Sequence, residues 1–131
     1  MSIYNDKNKR ALVIEDEPVI GRICKRTLTT EGYDVDIALN GSVAKDMADE
    51  NVYDIYLSDI RTPEMNGIEF YEYLKNMHPE LADRVIFTTG DILSTDVKQF
   101  LQEFKGIFLP KPFTPEELKK AIMEYQVSLV T

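Results

Sequence analysis

Four short polar clusters punctuate the apolar runs of this chain. They are Glu15-Asp16-Glu17, Asp59 with the trailing Ile-Arg-Thr-Pro-Glu-Met-Asn-Gly, Thr88-Thr89-Gly90-Asp91, and Pro110-Lys111-Pro112. Each follows or ends a run that reads as a buried strand, so a framework that aligns the strands would gather carboxylates, hydroxyls and one ammonium at a single edge. Bare carboxylates meeting there repel one another. A hard cation held by oxygen atoms is the simplest remedy. With one cysteine and one histidine in the chain, no nitrogen or sulfur ligand set exists, which favours Mg²⁺ over Zn²⁺. A lysine and a threonine hydroxyl beside such a cation suit phosphoryl transfer, which needs charge neutralisation more than covalent machinery. Asp59, central among the clusters, is the natural nucleophile, since carboxylates can form aspartyl phosphates.

The elements that must position these groups alternate strictly. Strand-like runs cover 11–15, 33–39, 53–59, 84–90 and 106–110. Helical patterns lie between and after them. The first places Ile20, Ile23, Cys24 and Leu28 on one stripe, with Pro18 in its first turn and Gly32 at its C-terminal end. The second, over 41–51, is expected to turn Val43, Ala44, Met47 and Ala48 inward. The third should bury Ile68, Tyr71, Leu74 and either Met77 or His78, and Pro79 stops it. Ser94 is the expected cap of the fourth, whose apolar face is Val97, Phe100, Leu101 and Phe104. In the fifth, Leu118, Ala121, Ile122 and Tyr125 face the core, behind Thr114, Pro115 and a capping-box Glu117. Short links between alternating strands and helices call for a parallel sheet covered on both faces. In such a sheet, ligands bind beyond the carboxyl ends of the strands, where the four polar clusters fall.

Composition narrows the function classes. With 44% hydrophobic and 29% charged residues among 131, the chain has the balance of one globular domain, not a disordered segment. The net charge of −8 disfavours direct nucleic-acid contact through a basic face. No apolar run approaches a membrane span of about 20 residues, and the polar start of the chain lacks a signal core, so the expected location is the cytoplasm. Single polar residues in the clusters also have plainer uses. Glu17 can simply favour a helix N-terminus, Thr88 can be a strand former, and Lys111 a solvated loop charge.

Together, Glu15-Asp16, Asp59 with "RTPEMNG", Thr89-Gly90 and "LPKPF" around Lys111 resemble the receiver domain of two-component response regulators. The resemblance runs from about Lys9 to Val127 and leaves no room for an output domain. It implies a flavodoxin-like, doubly wound (βα)5 fold with strand order 2-1-3-4-5. It also implies a phosphoacceptor at Asp59 and Mg²⁺ on Asp16, Asp59 and the Arg61 backbone carbonyl. Glu15 matches the second acidic position, which acts on the metal through water. Thr89 matches the switch hydroxyl and Lys111 the partner of the phosphoryl oxygens, with a cis Lys111–Pro112 bond. Phe108 stands where the family often has a movable tyrosine, so a rotamer switch remains available without a hydroxyl. Arg61 and Asp91 fall at positions that tune phosphoryl lifetime in the family.

By this resemblance the chain is a regulatory switch, not an enzyme in its own right. Its partners would be a sensor histidine kinase or phosphotransfer protein and an unidentified downstream protein. That downstream protein would meet the surface formed by the fourth helix, fifth strand and fifth helix. The expected state is a monomer or a phosphorylation-dependent dimer. A stand-alone regulator and a C-terminal receiver of a hybrid sensor kinase both fit. A haloacid-dehalogenase-type hydrolase fits less well, because it needs Asp-x-Asp after the first strand and the chain has Glu15-Asp16-Glu17.

Overall fold

A computed structural model describes residues 9–130; the first eight residues of the N-terminal stretch considered above lie outside it. Five strands alternate with five helices: β1 (Lys9–Ile14), α1 (Pro18–Thr30), β2 (Tyr33–Ala38), α2 (Gly41–Glu50), β3 (Ile55–Asp59), α3 (Gly67–Met77), β4 (Val85–Thr89), α4 (Thr95–Glu103), β5 (Phe108–Pro110) and α5 (Pro115–Ser128). A 3-10 segment, Pro79–Arg84, joins α3 to β4. All pairings are parallel and the strand order is 2-1-3-4-5, the flavodoxin-like doubly wound arrangement expected from the sequence. The order reverses between β1 and β3, which places a crevice beyond their carboxyl ends.

Successive strand residues point to opposite faces, so β1 feeds two separate cores. Leu12 and Ile14 join Tyr56, Phe70, Leu74 and Phe87 on one side. Ala11 and Val13 join Cys24, Leu28, Ile55, Leu57, Leu118 and Ile122 on the other. The central strands β3 and β4 are buried at every position, whereas edge strand β2 is only partly covered. Among the described residues no helix is long and apolar enough to cross a membrane.

Two helices are rotated from the phase their apolar residues suggest, and glycine explains both. At Gly67 a Cβ would stand 2.3 Å from the Asp59 carbonyl oxygen, so the helix backbone lies directly on the end of β3. This contact turns Gly67, Phe70 and Leu74 inward and leaves Ile68 and Tyr71 on the flank, with Met77 exposed. At Gly41 a Cβ would stand 2.2 Å from the Met65 carbonyl oxygen. There Gly41, Ala44 and Ala48 face inward and Val43 faces out. α5 follows its pattern throughout, with the Thr114–Glu117 capping box formed in both directions and Leu118, Ala121, Ile122 and Tyr125 buried. α1 ends as anticipated, with Gly32 at φ +98° just past Glu31.

Candidate functional site

β1 and β3 stop side by side, and their ends carry the first two acids. Asp59 is the last residue of β3, and Glu15 follows Ile14 directly. The backbone around them is locked. The Glu15 amide donates to the Ala38 carbonyl at 3.0 Å, the Ile60 amide to the Thr88 carbonyl at 2.9 Å, and the Gly67 amide to the Ile60 carbonyl at 2.9 Å. The carboxylates are therefore held by the sheet and not by a loop.

From the opposite side, the β5–α5 connection brings Lys111 over them. The peptide bond from Lys111 to Pro112 is cis, and the Lys111 amide donates to the Thr89 carbonyl at 2.9 Å. Its ammonium lies 2.9 Å from Glu15 Oε1, 2.9 Å from Asp59 Oδ2 and 3.3 Å from Glu17 Oε1. Asp59 Oδ1 accepts from the Arg61 amide at 3.2 Å, and Glu15 Oε2 accepts from the Glu17 amide at 3.2 Å. Carboxylate oxygens of Glu15, Asp16, Glu17 and Asp59 all fall within 4.8 Å of one another, with Glu15 and Asp59 buried and the other two exposed.

The charges do not balance. Desolvation by burial pushes the Glu15 and Asp59 carboxyl groups up, only partly opposed by the hydrogen bonds and charge of Lys111. Burial alone would pull the Lys111 ammonium down, but its hydrogen bonds to Glu15 and Asp59 win and hold it well above its ordinary range. One partly buried ammonium thus faces two buried carboxylates, with two more acids at the rim. The set is all hard oxygen, strongly anionic and open to solvent through Asp16 and Glu17. That fits a small divalent cation such as Mg²⁺ that retains water ligands. Cys24, beneath the cluster, is buried and its thiol is pushed up to about 12, chiefly by desolvation. It is inert packing.

Thr89 closes the far side. It is fully buried, and its Oγ1 accepts from the Asp91 amide at 3.0 Å. Phe108 lies on β5 opposite Phe87 and packs, partly exposed, against the core that holds Phe87, Phe100 and Phe104. The structure thus gathers Glu15, Asp16, Asp59, Thr89 and Lys111 at one sheet edge, with Arg61 adjoining and Phe108 on the flanking strand.

Two features escaped the sequence reading. Glu17, read as favouring the α1 N-terminus, occupies the N-cap position without a capping bond and instead reaches Lys111. Arg61 carries more than a backbone position. Its Nε contacts Asp91 Oδ2 at 2.8 Å, and one terminal nitrogen contacts Ser94 Oγ at 2.7 Å and Asp96 Oδ1 at 2.9 Å. Ser94 stands at the N-cap of α4 but makes no capping bond; its hydroxyl donates to Asp96. The available signal was the acid-rich Asp91-Ile-Leu-Ser94-Thr-Asp96 segment, for which a cation on a neighbouring loop was the missing partner.

Comparison with known proteins agrees with this fold. A family profile for the response regulator receiver domain matches residues 11–123. A probable transcriptional regulator of Porphyra purpurea is 34% identical over 112 residues, covering 85% of this chain and 53% of that protein. The chain spans about half or less of the length of the curated relatives it matches. A CheY-like receiver domain from Methanospirillum hungatei superposes with a TM-score of 0.81 at 28% identity, over 93% of this chain and 96% of that one. The receiver domain of a Pseudomonas aeruginosa sensor histidine kinase, solved with magnesium in its active-site cleft, gives 0.78 at 26% identity, over 91% and 98%.

Proposed function

On the premise that this chain belongs to the response regulator receiver domain family, we propose that it is a phosphorylation-controlled signalling switch whose phosphoryl acceptor is Asp59. The observation that carries the reading is Lys111 Nζ at 2.9 Å from both buried carboxylates of an acidic cluster. Such a pocket is tolerable and reactive only with added positive charge. Mg²⁺ would be held by Asp16, Asp59 and the Arg61 carbonyl, with Glu15 acting through a bound water. When bound, the cation neutralises charge on the phosphoryl oxygens.

The chain's own groups supply the rest. An Asp59 carboxylate oxygen attacks the phosphorus of a phosphohistidine on a kinase or phosphotransfer protein, or of a small acyl phosphate. The new P–O bond forms as the P–N or P–O bond to the donor breaks, and the donor leaves with that bonding pair as imidazole or carboxylate. Lys111 is placed to shift from the carboxylate to a phosphoryl oxygen. Thr89 Oγ, whose lone pair already receives the Asp91 amide, still has its own proton to donate to that oxygen. As Thr89 moves toward the phosphoryl group, Phe108 fills the space it leaves. The surface of α4, β5 and α5 then presents different contacts to a partner, a two-state element biased by local charge. Receiver domains occur both in stand-alone regulators and within sensor kinases, as in the Pseudomonas relative; the phosphoacceptor chemistry is common to both.

Incubation with acetyl phosphate and Mg²⁺, read by intact mass, tests this reading. The wild-type protein should gain one phosphoryl group, and neither Asp59→Asn nor the wild type with chelator should gain any. A phosphoryl gain on the Asn variant would refute Asp59 as acceptor.

A further inference from the structure

The weakest-held helix in the structure is tied to the loop that carries the acceptor. α4 fully buries only Val97, and Phe100, Leu101 and Phe104 are half covered. Its C-terminal half is secured by aromatic contacts, with the Phe87 ring 5.1 Å from Phe100 and 4.9 Å from Phe104. In the first turn Val97 is the one buried side chain, and the Ser94 side chain does not cap the turn. Its solvent side is held by the Arg61 guanidinium, through Asp91, Ser94 and Asp96. Arg61 in turn donates its amide to Asp59 at 3.2 Å. Its hydrogen bonds to Asp96 and then Asp91 raise the Arg61 guanidinium further above its already high range, so it stays charged at any working pH.

A phosphoryl group on Asp59 would introduce a dianion two residues from this guanidinium. Arginine binds phosphoryl oxygens in a fork and does so at least as well as carboxylates. Asp96 is exposed and Asp91 partly so, and pairs in contact with solvent hold weakly. The competition therefore favours the phosphoryl group.

We propose that Arg61 is the latch of α4: its guanidinium holds the first turn through Asp91, Ser94 and Asp96 while Asp59 is a free carboxylate, and moves to the phosphoryl group when Asp59 is modified. Arg61 is a positioning residue here, acting on α4 and not on the attacking atoms. The inference rests on Asp59 being the acceptor and adds the route by which its charge reaches α4.

Amide hydrogen exchange of residues 98–100, whose amides make the first intrahelical bonds of α4 beginning with Lys98 to the Ser94 carbonyl, is the test, on the wild type, Arg61→Gln, Asp96→Asn and the double variant, each with Mg²⁺ and with or without acetyl phosphate. Without donor, each single substitution should speed exchange about threefold, the scale of an exposed ion pair. Asp96 also favours the helix N-terminus by charge alone, so the cycle is decisive. Most of the effect of Asp96→Asn should vanish once Arg61 is Gln, and fully additive effects overturn the latch. With donor, wild-type exchange should rise to the level of Arg61→Gln, and Arg61→Gln should show no further rise. A phosphorylated wild type with unchanged exchange in this turn, or an equal rise in Arg61→Gln, overturns the transfer. Absence of any phosphoryl gain by mass would overturn the acceptor reading and the release with it, while the donor-free cycle would still decide whether Arg61 holds α4.

Discussion

Asp59→Asn should make the metal-free protein more stable, although it deletes a salt-bridge partner. The ionised carboxylate attracts Lys111 across 2.9 Å, about 5.7 kcal/mol at an effective dielectric constant of about 20. Against this, an acid oxygen at the 4.8 Å limit of the cluster repels it by about 3.5 kcal/mol for buried Glu15 and by about 0.9 kcal/mol each for solvated Asp16 and Glu17. The charge terms nearly cancel. What remains is the cost of desolvating a carboxylate that is 5% exposed, several kcal/mol for a buried ion. Asn keeps an acceptor for Lys111, which still pairs with Glu15 at 2.9 Å. A net gain of about 2 kcal/mol is expected, or about 6–10 °C in Tm for a domain of this size.

The pH dependence has a definite sign. Burial raises the Asp59 carboxyl above its ordinary value, so its contribution is favourable at low pH and is lost as pH rises through the folded-state pKa. The advantage of Asn should therefore be full at pH 8 and small near pH 4. Mg²⁺ at tenfold its dissociation constant should return about 1.4 kcal/mol to the wild type and much less to the variant. Thermal melts followed by circular dichroism, with chelator or Mg²⁺ at both pH values, provide the assay. A variant no more stable than the wild type at pH 8 in chelator would refute the claim of electrostatic tension.

Other substitutions test the supporting structure. Lys111→Met leaves Glu15 and Asp59 buried without their cation and should cost about 3–5 kcal/mol at pH 8, with a smaller loss at pH 4 where those raised carboxyl groups take up protons; urea unfolding at the two pH values checks this. Gly67→Ala places a methyl group 2.3 Å from the Asp59 carbonyl oxygen, which only backbone movement relieves. It should cost about 3 kcal/mol or more and slow phosphorylation, seen in melts and in the rate of phosphoryl gain. Thr114→Ala removes one half of the α5 capping box and should cost about 1 kcal/mol, with phosphorylation unchanged.

Much of this architecture was legible because local signals agreed. Thr114, Pro115 and Glu117 define the start of α5 without help from tertiary structure, and the near-continuously apolar β4 run announces a strand covered on both faces. The edge position of β2 is written in Asp34 and Asp36 alternating with Val35 and Ile37. The acids and Lys111 were legible as a group because each ends or directly follows a strand-like run, and parallel strands bring their ends together. Helix phase was less legible. Apolar periodicity ranks Val43 with Ala44 and Tyr71 with Leu74, but the close approaches at Gly41 and Gly67 decide which side faces the sheet. The Gly41 contact with Met65 joins segments distant in sequence, as do the Arg61 pairs with Asp91 and Asp96. A charged residue's partner on another loop leaves no periodic trace along its own segment.

The claim on which the rest depends is that Asp59 itself becomes an acyl phosphate. Borohydride reduces such an acyl phosphate to an alcohol and so converts the modified aspartate to homoserine, which peptide mapping by mass spectrometry can locate. After treatment with acetyl phosphate and Mg²⁺, homoserine should appear at position 59 alone. Homoserine at Asp16 or any other aspartate, or hydroxynorvaline at a glutamate, with position 59 still aspartate, would contradict the account.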